Sequence, residues 1–546
     1  MRIIPSLLLA GLIFTASCDR RPAEPDKTFR FINRGDIFTL DLNQMSYAQD
    51  IRLTYAIREG LYAPTGPNFT PEPAGAIGCD ISADKRVYTF HLRDTGWSNG
   101  DPVTANDYVF SWKLMLDSPG EYSGLFAYIE GAEAYEDAIK AGKPVDFSTV
   151  GIVAVDDKTL RVTLKQPVAY FLDLTAFPPF YPRNQRSMEK FRRTDVPQLS
   201  YNSAYTKPPD VVTNGPFMLT KWAFKRVLHM ERNPYYWDAK TVKLDAVEMV
   251  VNDNLLSEYL QFKAGAVDWV CEVPADIAPE LKQQGLPQMK TSTSFGTFFL
   301  TLNCIDHLPQ SPNDKNPLAD ARVRQALDMA IDKQFICDNI TRLGEPVATH
   351  YIPPGTLPGF ESLPGLPQDI QKAKQLLADA GYPNGAGFPK LPILYNTENT
   401  TRARIAQVLK QQWKQALNID VEIEGIEGKI FHERVSSHNY TIATVSWIGD
   451  YPDASTFTDK YAANGDQNDS QWKDPTYNDL LAKAAVETDT AKRLTLLSQA
   501  EHVLNLQAPI IPIYHYVNSS LISDRVQGIT MNPRSIVNWK NIELKN

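Results

Sequence analysis

The run Trp447-Ile-Gly-Asp-Tyr-Pro-Asp453 carries the sharpest chemical possibility in the chain. The residues before it, Tyr440-Thr-Ile-Ala-Thr-Val-Ser446, alternate as a strand does, so Asp450 falls just past a strand end. A carboxylate held there away from water pairs strongly with a cation through a charge-assisted hydrogen bond. The α-ammonium group is the cation that every free peptide offers. The plainer reading is a turn aspartate capping the helix after Pro452, and Asp453 suits that role better than Asp450. Trp447 either walls a pocket beside the carboxylate or packs into a core.

Other chemistries find less support. The chain has no G-x-S-x-G elbow and no H-E-x-x-H helix; His432-Glu433 lacks the second histidine at the required spacing. Its eight histidines are scattered, and His432 with His438 reads as surface, so no metal or other cofactor is expected. Setting Cys18 aside, Cys79, Cys271, Cys304 and Cys337 include no C-x-x-C pair, and Cys304 with Cys337 is the first pairing to test against isolated buried thiols. Sixty-four acidic residues leave room for paired carboxylates of a glycosidase type, so an exported hydrolase stands as the alternative from another class, although a non-enzyme is expected. A formal charge of −9 and a pI near 5.5 argue against nucleic acid, which selects a basic face.

The elements that must position Asp450 are spread over 546 residues, too many for one core, so two or three bodies are expected. The start reads as an export signal: Arg2, then an apolar run to Ala16 that is too short to span a bilayer. Ala16-Ser17-Cys18 resembles the bacterial lipobox, with Thr15 where leucine is usual, so lipidation at Cys18 is expected. Asp19 resembles the signal that keeps such proteins in the inner membrane, and Arg20 to Asp26 would be a tether. From Phe29 onward short strands alternate with helices, an α/β pattern. Val87–Arg93 and Leu160–Leu164 read as strands, Thr104–Leu116 as a capped helix, and Ala321–Asp338 as one amphipathic helix. Ile370–Ala380 and two helices within Tyr477–Leu504 follow, then a strand at Ile510–Tyr514.

Seven fragments in order resemble the oligopeptide- and dipeptide-binding proteins of ABC importers: Ile57–Tyr62, Tyr88–Arg93 with Gly96–Asp107, Val212–Phe217, Arg232–Trp237, Val323–Asp332, Leu377–Tyr382 and Ile513–Asn518. The resemblance runs from about residue 28 to the end. It implies a periplasmic-binding-protein-like α/β clamp of two jaws and three lobes (class II, cluster C). Residues 28–58, 183–294 and 518–546 would form lobe I, 59–182 an inserted lobe II, and 295–517 lobe III. Crossings near Phe295 and Val517 would be the hinge. It implies an extracytoplasmic lipoprotein, acting as a monomer, that takes a peptide between lobes I and III and delivers it to the permease subunits of an ABC importer.

The resemblance also assigns roles by position. Asp450 matches the carboxylate that holds the ligand ammonium, with Trp447, Ile448 and Gly449 beside it. Tyr516 matches a cleft tyrosine near the hinge; Tyr514 shares its face, so one would line and one would pack. Tyr122 matches a tyrosine reaching in from lobe II. An extended ligand would pair with exposed strand edges, here Met45-Ser46-Tyr47-Ala48 and the 295–303 segment from Phe295. The family's basic residues for the ligand carboxylate are replaced by Thr444 and Val435, with Arg434 one position off, and a cleft aromatic is lost near Gly428. Phe295 and Ile448 stand where the family has a disulfide. Relatives that bind nickel complexes, haem or oligosaccharides, and a sensory role, are the alternatives within the family.

Overall fold

A computed structural model gives the fold and describes residues 27–545 apart from 34, 65–69, 197, 274–276, 310, 399 and 464–467. Cys18 and the rest of the expected export signal and tether lie outside the described residues. The main strands are β1 (Thr28–Ile32), β2 (Ala76–Ile81), β3 (Val87–Leu92), β4 (Ile152–Asp156), β5 (Thr159–Thr163), β6 (Phe217–Ala223), β7 (Val227–Arg232), β8 (Ala246–Val250), β9 (Trp269–Val270), β10 (Met289–Leu302), β11 (Leu391–Asn396), β12 (Val421–Ile426), β13 (Ile442–Ile448) and β14 (Ile510–Ile522). The helices that matter for the site are α1 (Ala48–Ile57), α2 (Ala105–Asp117), α3 (Ala321–Met329), α4 (Thr400–Leu417), α5 (Pro475–Val486) and α6 (Thr490–Gln507). No helix among the described residues is long and apolar enough to cross a membrane.

Ten strands form one sheet in the order β12-β11-β13-β10-β14-β9-β1-β8-β7-β6, and four more form a second, β2-β3-β5-β4. The buried apolar residues gather in corresponding groups. Phe29, Phe31, Trp269 and Trp539 anchor one on the β1 side of the large sheet. Trp97, Trp112, Phe126 and Phe180 anchor another against the four-stranded sheet. The third region covers both faces of β10, whose alternation sends Phe298 and Leu300 toward α3 and α4 but Phe295 and Phe299 toward α5 and α6.

β10 and β14 tie the first and third regions together. They pair antiparallel over Met289–Thr293 with Val517–Leu521 and again over Thr297–Thr301 with Ile510–His515, with a break in register between Thr293 and Thr297. Both strands therefore run through two cores and cross between them.

Local signals set most boundaries. Thr104 N–H donates to Asp107 at 2.8 Å, closing a capping box at the start of α2. The helix expected over Ala321–Asp338 is instead broken: α3 stops at Met329 and a second helix starts at Lys333. Asp332 Oδ1 accepts Phe335 N–H at 2.9 Å, so a strong capping residue overrides continuous amphipathic spacing. Of the two readings of the cysteines, isolated thiols hold and the Cys304–Cys337 pairing does not: all four described cysteines are free. Cys304 packs toward α5 and α6 while Cys337 lies in the core under α3 and α4, so the sheet separates them.

Candidate ligand-binding site

β13 reaches Asp450 along a strand that is paired on one side only at its far end. Gly296–Leu302 of β10 covers one edge over Ile442–Ile448. On the other edge β11 pairs only through Ile393–Ile442 and Leu394–Ala443 and then departs. Residues 444–448 are left with an outer edge that no described strand covers. The Thr444 carbonyl points outward and, by strand alternation, so do the main-chain groups of Ser446 and Ile448. Such an edge is a template for an added extended chain.

This corrects one expectation. The 295–303 segment is flanked by β13 and β14 over most of its length, so its main chain is already bonded on both sides. Phe295 is wholly buried, edge-on to Phe457 at 5.0 Å, and supports the site from behind. Gly449 shows why: its N–H donates to the Phe295 carbonyl at 2.8 Å, and a Cβ there would lie 2.1 Å from the Phe295 ring. Ile448, 42% exposed, is the apolar side chain that the strand offers outward. Of the other expected edge, Ser46, Tyr47 and Ala48 are all exposed, but Ala48 is the first residue of α1 and is helical. Tyr47 is extended and stacks on the exposed Phe38 at 4.3 Å. Met45 is buried with its N–H bonded to the Asp41 carbonyl, and the Tyr47 carbonyl accepts the N–H groups of Asp50 and Ile51, so this segment is a turn leading into α1 and not an open strand edge.

At the end of β13 the Asp450 carboxylate is partly buried among groups from three regions. Tyr122 Oη–H donates to it at 3.2 Å. Arg534, from the C-terminal segment, donates to the Asp450 main-chain carbonyl. Burial pushes the Asp450 carboxyl above the usual carboxylate range; the charge of Arg534, the Tyr122 hydroxyl and the charge of Lys460 oppose it in that order. Asp450 N–H donates to Thr456 Oγ1 at 2.9 Å. The turn role falls to Asp453, which accepts Ser455 N–H at 2.9 Å and forms a two-pronged pair with Arg493 at 2.6 and 2.9 Å. Its carboxylate is spent on structure, while Asp450 as a residue is only half-buried.

Trp447 combines the two readings. Its indole N–H donates to the Thr456 carbonyl at 2.9 Å and it packs partly against the core, while the Lys460 ammonium lies 4.9 Å from its ring centroid. Tyr514 is buried and stacked on Phe298 at 5.0 Å, so it packs; Tyr516 meets it edge-on at 5.3 Å and is half-buried. Arg434 is engaged with Glu424 and the Asn439 carbonyl, away from the open edge, and Val435 is buried.

Sequence reading missed the cation at the far end of that edge. Arg402, in the first turn of α4, donates to the Thr444 carbonyl at 2.5 Å and to Ser446 Oγ at 3.2 Å, with its guanidinium 5.7 Å from the Phe298 ring centroid. It supplies positive charge where Thr444 itself brings none. No spacing rule points to it, because the contact joins a helix start to a strand 42 residues later. Arg534 and Lys460 were missed for the same reason. Together the open edge has a carboxylate at one end and a guanidinium at the other, an arrangement that suits an extended zwitterion.

Comparisons with known proteins identify the family and the fold. The family model described as "Bacterial extracellular solute-binding proteins, family 5 Middle" matches residues 70–469. The oligopeptide-binding protein OppA of Bacillus subtilis is 33% identical, over 87% of this chain and 85% of that protein. The probable deoxycholate-binding periplasmic protein YgiS of Escherichia coli is 30% identical over 99% and 98%. Among solved structures, the murein tripeptide binding protein MppA of Escherichia coli superposes with a TM-score of 0.80 at 29% identity, covering 96% of this chain and 99% of that one.

Proposed function

This chain belongs to the bacterial extracellular solute-binding proteins of family 5, and from that premise we propose that it captures short peptides outside the cytoplasmic membrane and hands them to the permease of an ABC importer. The observation that carries the peptide reading is the one-sided edge of β13 with Asp450 at its end. A peptide extended along residues 444–448 would exchange main-chain hydrogen bonds with it, place its α-ammonium at Asp450 and direct its carboxylate toward Arg402. Asp450 and Ser446 are four residues apart, roughly 13 Å of strand, which suits peptides of about three to five residues. Side chains would enter water-filled space, so sequence preference would be weak. A bile acid, the ligand in the name of one relative, has no ammonium group for Asp450.

The lobes I, II and III divide at about 58/59, 182/183, 294/295 and 517/518 in this reading, with the β10–β14 crossing as hinge. Export and anchoring through Cys18 follow from the lipobox-like start, and Cys18→Ala is expected to move the protein from the membrane to the soluble periplasmic fraction. Calorimetry of a tripeptide and its N-acetylated form tests the central claim. Tight binding of the first and weak binding of the second is expected; equal affinities would overturn the assignment of Asp450. Native mass spectrometry of the purified protein would give the ligand masses directly.

A further inference from the structure

Arg534 sits in a turn that is braced across itself and bolted to both crossing strands. Asn532 Oδ1 accepts the N–H groups of Arg534 and Ile536, each at 3.0 Å, and the Asn532 carbonyl accepts Ser535 N–H at 2.8 Å. The Pro533 carbonyl accepts Phe295 N–H at 2.9 Å from β10 and the Asn518 side-chain amide at 3.0 Å from β14. From this base the Arg534 guanidinium lies 5.0 Å from the Phe177 ring centroid and bonds to the Asp450 carbonyl. Phe177 in turn meets Tyr122 edge-on at 4.9 Å. One side chain thus joins the C-terminal segment to both regions that flank Asp450.

The groups facing Asp450 are few. Arg534 comes from the C-terminal turn, Tyr122 from the segment after α2, and Lys460, itself paired to Asp469 at 2.8 Å, from beyond the Asp450 turn; Tyr351 lies behind. We propose that Arg534 is the positioning residue of the ammonium site: its charge keeps the Asp450 carboxylate ionised in a poorly solvated place before ligand arrives, and its bond to the Asp450 carbonyl aims that carboxylate at the strand edge. This rests on the reading of Asp450 as the ammonium anchor. Without Arg534 the burial of Asp450 is less opposed, so the carboxyl takes a proton at higher pH and must lose it again to bind an ammonium.

The test is calorimetry of wild type, Asp450→Asn, Arg534→Met and Arg534→Lys with a free-amine tripeptide and its N-acetylated form, at about pH 5.5 and about pH 8. Arg534→Met is expected to weaken the free-amine peptide, by a factor several-fold larger at the lower pH. The acetylated peptide should show no such pH-dependent loss, and Arg534→Lys should restore the wild-type profile. The same loss at both pH values, or for both peptides, would make Arg534 a structural brace only and overturn the proposal. If Asp450→Asn binds the free-amine peptide as well as wild type does, the ammonium reading itself fails, and this inference with it.

Discussion

Replacing Asp450 by asparagine keeps the shape of the side chain and removes its charge. A partner left unpaired in a poorly hydrated site costs about 2–5 kcal/mol, so Asp450→Asn is expected to weaken free-amine peptides roughly 30-fold or more, at about 1.4 kcal/mol per decade. Calorimetry reads this directly, and a change under threefold would be too small for the role. At the other end, Arg402→Gln removes a charge from the Thr444–Ser446 edge. Peptides with a free carboxylate should then lose about tenfold and bind as their C-amidated forms do; an unchanged preference over the amides would place the ligand carboxylate elsewhere. At this scale the sequence exposed Asp450 because it closes a strand pattern. It hid Arg402, because nothing in the first turn of α4 records which strand that turn faces.

The element that makes the site is β13, and its value lies in being half paired. Gly449 is the tightest point, since the Phe295 ring occupies the space of a side chain. Gly449→Val is expected to push the Phe295 ring away, cost about 1–3 kcal/mol of stability through overpacking, and displace Asp450. Thermal unfolding should show a lowered Tm and calorimetry a loss of peptide binding; a normal Tm with normal binding would mean that the turn has slack. The alternation of Tyr440–Ser446 made this strand legible. Which of its edges is open depends on where β11 turns away and which strands flank β10, and those are long-range pairings.

At the scale of the whole molecule, like charges from two regions lie together where the β13 turn meets the four-stranded region. Tyr451, at the end of the β13 turn, stacks on Tyr170 at 4.7 Å and packs into the core of the four-stranded region. Arg493, paired with Asp453, lies 5.4 Å from the Tyr170 ring centroid. Asp173 approaches from the same region as Tyr170; burial, with the nearby Asp453 charge adding to it, pushes its carboxyl from 3.8 to about 7. If the two proposed jaws separate and rehydrate Asp173, its raised value in this packed arrangement means that closing takes up a proton. Closure is then most favourable near and below pH 4, weakens as pH rises toward about 7, and is constant above that. Peptide dissociation measured by stopped flow is expected to quicken between about pH 5 and about pH 7.5, and less steeply in Asp173→Asn. Equal pH profiles for the two proteins would exclude Asp173 as the cause.

The sequence by itself determined the α/β class, the family and the position of the acidic strand end, because local alternation, capping residues and ordered short motifs are written in neighbouring residues. Tertiary structure alone decided which edge of β13 is open, that 295–303 is interior, that Ala48 is helical, that Cys304 and Cys337 lie on opposite faces of a sheet, and that Arg402 and Arg534 face the site. The physical reason is reach: patterns of period two or 3.6 specify an element and its faces, whereas a free edge or a counter-charge exists only where distant elements meet or part.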